Sequence, residues 1–109
     1  MMKWLLLAVF FTLPVSSFAS EPPELWSWFK DLNKSKEACE IQSSYVLRSI
    51  NLENQTENEY GLYGNVRSNR VVVKCIALTE DTSKLMVAVA GNDRSSVELV
   101  RNEIIRAIN

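Results

Sequence analysis

The chain has 109 residues, 47% of them apolar, and 12 basic against 13 acidic side chains. That is enough for one small domain with its own core. The near-balanced, interspersed charge argues against nucleic-acid binding or attachment to an anionic membrane, and the complete lack of histidine removes His-based triads, His metal sites and the usual general base near neutral pH.

The first residues read as an export signal. Met1-Met2-Lys3 gives a positive start, Leu5 to Leu13 is apolar apart from Thr12, and Pro14 ends the run. Ser17-Phe18-Ala19 then supplies the small residues a signal peptidase requires. The apolar run is about half of the ~20 residues a spanning helix needs. Residues 1–19 are therefore expected to be a cleaved signal peptide, with mature protein from Ser20 and no stable membrane insertion. Loss of Lys3 leaves 11 basic against 13 acidic residues. The destination is an oxidising space, secreted or periplasmic, where Cys39 and Cys75 are expected to pair. Two free thiols or two intermolecular bridges are the alternatives.

Ser20 to Ser35 forms a Trp-rich segment. Leu25, Trp28, Phe29 and Leu32 recur at helical spacing and predict a short helix from Glu24 to about Asn33. Ser35 caps a second helix from about Lys36 to Asn51, with Ala38, Cys39, Ile41, Tyr45, Val46 and Ile50 on its buried side. Asn51 to Glu59 is polar and acidic and reads as a loop. Three strands follow, at Tyr60–Val66, Arg70–Leu78 and Lys84–Ala90, separated by turns at Arg67-Ser68-Asn69 and Thr79–Ser83. A last helix starts at a capping box, Ser95 with Glu98, and buries Val97, Val100, Ile104 and Ile108. The expected fold is α+β, in the order α-α-β-β-β-α. It is a three-stranded antiparallel meander with helices before and after, one disulfide, and its domain at 36–109.

Short turns require antiparallel hairpins, with Arg70–Leu78 in the middle. Strand alternation puts Val71, Val73, Cys75, Ala77, Leu85, Val87 and Val89 under the helices. The other face then carries Val72, Lys74, Ile76, Leu78, Met86, Ala88 and Ala90. A solvated face normally turns polar, so this apolar one should be covered by the Trp-rich helix or by a partner. Trp26, Trp28, Val72, Ile76 and Met86 are the candidate partner surface, with Trp26 expected to be the more exposed tryptophan.

The remaining motifs have plainer readings. Ser27-Trp28-Phe29-Lys30 fits Ser-x-x-Lys, but the Ser-Asp-Asn and Lys-Thr-Gly elements are missing. Gly91-Asn92-Asp93 before a helix reads as a capped turn, since Asp93 opposes an anion. Glu53, Glu57 and Glu59 lack calcium-loop spacing and read as a solvated cluster. Asn33-Lys34-Ser35 and Asn54-Gln55-Thr56 are glycosylation sequons that matter only in a eukaryotic secretory pathway. No catalytic residue, cofactor or metal is expected.

The Cys early in a helix, the Gly-containing strand, Val71-Val72-Val73-Lys74-Cys75, Val87-Ala88-Val89-Ala90-Gly91-Asn92-Asp93 and the terminal amphipathic helix together span residues 36–108. In these features the chain resembles short exported bacterial proteins without an assigned activity. The resemblance implies a Gram-negative periplasm and carries over no catalytic residue. The leading expectation is a non-enzymatic exported protein that binds another protein, as an inhibitor, immunity protein or envelope accessory, or that forms a homodimer. A small-molecule-binding periplasmic domain, with Tyr60, Tyr63 and the tryptophans lining a cleft, is the first alternative. A small hydrolase working through carboxylates is the second.

Overall fold

The computed structural model describes residues 21–109, so the expected signal peptide lies outside the described residues. The elements run β1 (Glu24–Leu32), α1 (Lys36–Ser49), β2 (Glu53–Asn58), β3 (Gly61–Val66), β4 (Asn69–Ala77), β5 (Ser83–Gly91) and α2 (Arg94–Ala107). All five strands form one antiparallel sheet in the order β1-β5-β4-β3-β2. The expected three-stranded meander in the order α-α-β-β-β-α is therefore wrong. The sheet gains a strand at each edge, and the first helix does not exist.

Both errors have a physical cause. In Glu24–Leu32, Leu25, Trp28, Phe29 and Leu32 match a helical stripe. The same segment also reads as a strand with Trp26, Trp28 and Leu32 on one face and Leu25 and Phe29 on the other. Nine residues make only a marginal helix, and Trp and Phe favour strands. Pairing with β5 along the whole segment, from Glu24 opposite Gly91 to Leu32 opposite Ser83, satisfies one side of its backbone and decides the matter. Glu53–Asn58 has no apolar side chain to announce a strand, and every residue in it is exposed. It is held by the ladder to β3 and by a tight turn, where Asn58 Oδ1 accepts the Tyr60 N–H at 2.8 Å.

The two helices lie side by side on one face, α1 over β4 and β5, α2 over β5 and β1. Ser35 caps α1 as expected, its Oγ accepting the Ala38 N–H at 3.1 Å. Cys39, Ser43 and Leu47, four residues apart, face the sheet. Ile41 and Tyr45, expected on the buried side, are exposed. They stand two residues beyond Cys39 and Ser43, about half a turn round the helix. The cap of α2 is Asp93, not Ser95, with Asp93 Oδ1 accepting the Ser95 N–H at 3.0 Å. Its stripe of Val97, Val100, Ile104 and Ile108 is fully buried against Val71, Val87, Val89 and Leu85.

The Cys39–Cys75 disulfide is present, joining the first turn of α1 to the central strand β4 across a Cα–Cα distance of 6.0 Å. Both half-cystines are buried, and Ser43 Oγ lies 3.6 Å from Cys75 Sγ. Lys30, on the helix side of β1, reaches the end of α2 and donates to the carbonyls of Ile105 and Ile108 at 2.9 and 2.8 Å. A cation there answers the unpaired carbonyls and the negative end of the helix dipole.

Candidate interaction surface

Because both helices sit on one side, the other face of the sheet has no layer over it among the described residues. Strand register fixes what it displays. Rows across the sheet read Leu25–Ala90–Arg70–Asn65, then Ser27–Ala88–Val72–Tyr63–Thr56, then Phe29–Met86–Lys74, then Asp31–Lys84–Ile76. The β1–β5–β4 half is apolar at its centre. Leu25 is 69% exposed, Phe29 55% and Ile76 37%, with Val72, Met86, Ala88 and Ala90 half-exposed among them. The β3–β2 half is polar, a shallow hollow lined by Asn54, Thr56, Asn58, Tyr63, Asn65 and Arg70.

Charged groups frame the apolar half. Lys84 Nζ pairs with Asp31 Oδ1 at 2.9 Å along one border. Arg70 Nε donates to Asn65 Oδ1 at 2.7 Å, and Lys74 Nζ to the Glu59 carbonyl at 2.5 Å. Those last two cations use neutral acceptors in these bonds, so their charge is available to a partner's carboxylates.

Of the expected surface residues, Val72, Ile76 and Met86 do share this face. Trp26 and Trp28 do not. They stand opposite Val89 and Val87 on the helix side, beside α2. The Arg94 and Arg101 guanidiniums each lie 5.2 Å from the Trp26 ring centroid, and Arg101 lies 5.5 Å from that of Trp28. Trp26 is the more protected of the two and packs against the core; Trp28 is 53% exposed. Leu25 and Phe29 take the places on the open face that the tryptophans were expected to fill. The signal for them was the alternation of Trp26 and Trp28 against Leu25 and Phe29, legible once the segment is read with a period of two.

A second feature is a cleft of about 270 Å³ between the N-terminal half of α1 and the β2–β3–β4 side of the sheet. Ser43, Leu62, Val73, Cys75 and Ala77 line its apolar part, and Lys36, Glu40, Glu57, Glu59 and Lys74 contribute charge. Tyr60, Tyr63 and the tryptophans, expected around a small-molecule site, are not among its walls. Of Glu53, Glu57 and Glu59, the last two border this cleft beside Glu40, and Glu53 does not. The register places Glu53 opposite Asn65 on the open side and Glu57 opposite the buried Leu62 on the other.

Among the described residues no cluster of three His, Cys, Asp or Glu side chains is arranged to hold a metal, and no helix is long and apolar enough to cross a membrane. No protein-family model matches this chain, and no curated protein or solved structure matches it significantly.

Proposed function

We propose that this is a small exported, non-enzymatic protein that binds another protein through the apolar half of its open sheet face. The observation that carries the reading is the shared, uncovered placement of Leu25, Phe29, Val72, Ile76 and Met86. A contiguous apolar patch with a polar and charged border is what a protein interface needs. Burying a side chain such as Phe29 or Ile76 contributes about 1.5–3 kcal/mol. Arg70 and Lys74 favour a partner with an apolar centre and carboxylates at its rim. The buried disulfide and the leader-like residues 1–19 support an oxidising destination, secreted or periplasmic.

A Val72→Ser/Met86→Ser double variant tests this. Both side chains sit on the open face, away from the helices, so the variant should melt within a few degrees of the parent. It should retain a partner from periplasmic extract at least about tenfold more weakly, while Tyr45→Ser on the exposed side of α1 changes nothing. Equal retention by the double variant and the parent would contradict the assignment.

One observation favours a second reading. The cleft beside Ser43 and Cys75 combines an apolar floor with charged walls, the usual make-up of a small-ligand site. A Leu62→Trp variant that blocked it and abolished ligand-dependent stabilisation would support that reading.

A further inference from the structure

The two edges of the sheet are built differently. β2 is six residues long, polar and exposed throughout. Its register with β3 shifts between Glu53 and Thr56, where Asn54 has φ 54°. A bulge, two glutamates and short length are the usual means by which a protein blunts an edge. β1 has few of these protections. It is nine residues long, pairs with β5 in unbroken register, has no positive-φ residue, and Pro22 and Pro23 precede it rather than interrupt it. A long, regular edge rich in aromatics is a template for another strand.

The sequence of β1 points to what that strand is. In an antiparallel pairing of two copies about a two-fold axis normal to the sheet, residues on one face stay on that face. With the axis at Ser27, Leu25 stands opposite Phe29 of the second copy on the open side. Trp26 stands opposite Trp28 of the second copy on the helix side, and Glu24 stands opposite Lys30 of the second copy. Each of these pairings occurs twice by symmetry. Apolar meets apolar on both faces; the Lys30 ammonium at the ends is already bonded to the carbonyls of Ile105 and Ile108, so the apolar pairs carry the match.

The neighbouring registers lose this match. An axis at Trp28 sets Leu25 against Asp31 and Glu24 against Leu32. An axis at Phe29 sets Ser27 against Asp31 and Trp28 against Lys30. We infer that β1 is a homodimerisation edge, and that two copies join through it, centred on Ser27, into a ten-stranded sheet. The helices of both copies then lie on one side. On the other, the Leu25–Phe29–Met86 patches meet at the axis and form one continuous surface.

Arg101 bears on the same spot. Its guanidinium lies against both tryptophans and donates to the Ser27 carbonyl at 3.2 Å. In the dimer that outward carbonyl accepts the Ser27 N–H of the second copy, so pairing requires Arg101 to release it.

Cysteine crosslinking reads the register directly. In Ser27→Cys the new thiols face each other across the axis at a Cα separation of about 4.5–5.5 Å, within reach of a disulfide. The native cystine is already bonded. The parent should sediment as a dimer at micromolar to millimolar concentration, and Ser27→Cys should convert to a covalent dimer on mild oxidation. Leu25→Cys, which faces Phe29 of the second copy, should remain uncrosslinked. Ser27→Asp, which sets like charges against each other on an exposed position, should raise the dimer dissociation constant about tenfold or more. A parent that stays monomeric at millimolar concentration overturns the inference. So does crosslinking of Leu25→Cys as fast as Ser27→Cys, the pattern of two copies stacked by their open faces.

Discussion

At the scale of single residues, the disulfide carries the most stability in one bond. It closes a loop of 36 residues' separation and fastens α1 to the middle of the sheet. Loop-closure entropy for that length is worth about 3–4 kcal/mol, a large part of the ~5–10 kcal/mol that holds a domain of this size. Replacing both cysteines by alanine should lower the unfolding free energy by about that amount in urea titration, and reductant should no longer alter the midpoint. Lys30 illustrates a different economy. From the helix side of β1 its ammonium caps α2, a contribution of roughly 1 kcal/mol that no sequence motif announces. The cystine pairing, by contrast, was legible from the leader-like first residues and the cysteine count, because two thiols in a small domain in an oxidising space have few other fates.

At the scale of elements, what could be read depended on how plainly a segment's residues marked its inward side. α2 has one apolar stripe, and β4 and β5, apolar on both faces, are valine-rich runs bounded by turn residues, with Cys75 marking the inward side; their buried residues fall where alternation or helical spacing puts them. β1 has apolar residues on both faces, so period alone could not separate strand from helix, and long-range pairing decided it. β2 has none, and its existence depends on β3. The open face of β4 and β5 was legible for the same reason that β1 was not: Val72, Ile76 and Met86 alternate with residues that are plainly buried. The β3–β4 hairpin offers a test at this scale. Arg67 and Ser68 both have positive φ, 48° and 67°, as a two-residue turn matched to sheet twist requires. Non-glycine residues there cost about 1 kcal/mol each. Ser68→Gly should therefore raise stability by about 1 kcal/mol, measured by thermal melting, while the Arg67–Glu103 ion pair is kept.

At the scale of the whole molecule, everything proposed follows from a two-layer arrangement. Among the described residues, five strands need covering on two faces, and two helices cover one. Had Glu24–Leu32 formed a helix over the open side, Leu25, Phe29, Val72, Ile76 and Met86 would make a second small core and the chain would present no large apolar surface. As a strand, the same segment widens the exposed face and supplies its two most accessible large apolar side chains, Leu25 and Phe29.

Cross-strand NMR contacts in the isolated protein measure this most directly. The fold predicts backbone proton contacts between Ser27 and Ala88 and between Phe29 and Met86, with slow amide exchange throughout β5, which has neighbours on both sides. Medium-range helical contacts within Glu24–Leu32, together with contacts from the Phe29 ring onto Val72 and Ile76, would mean the sheet is capped by its own chain and would remove the surface on which the binding role rests.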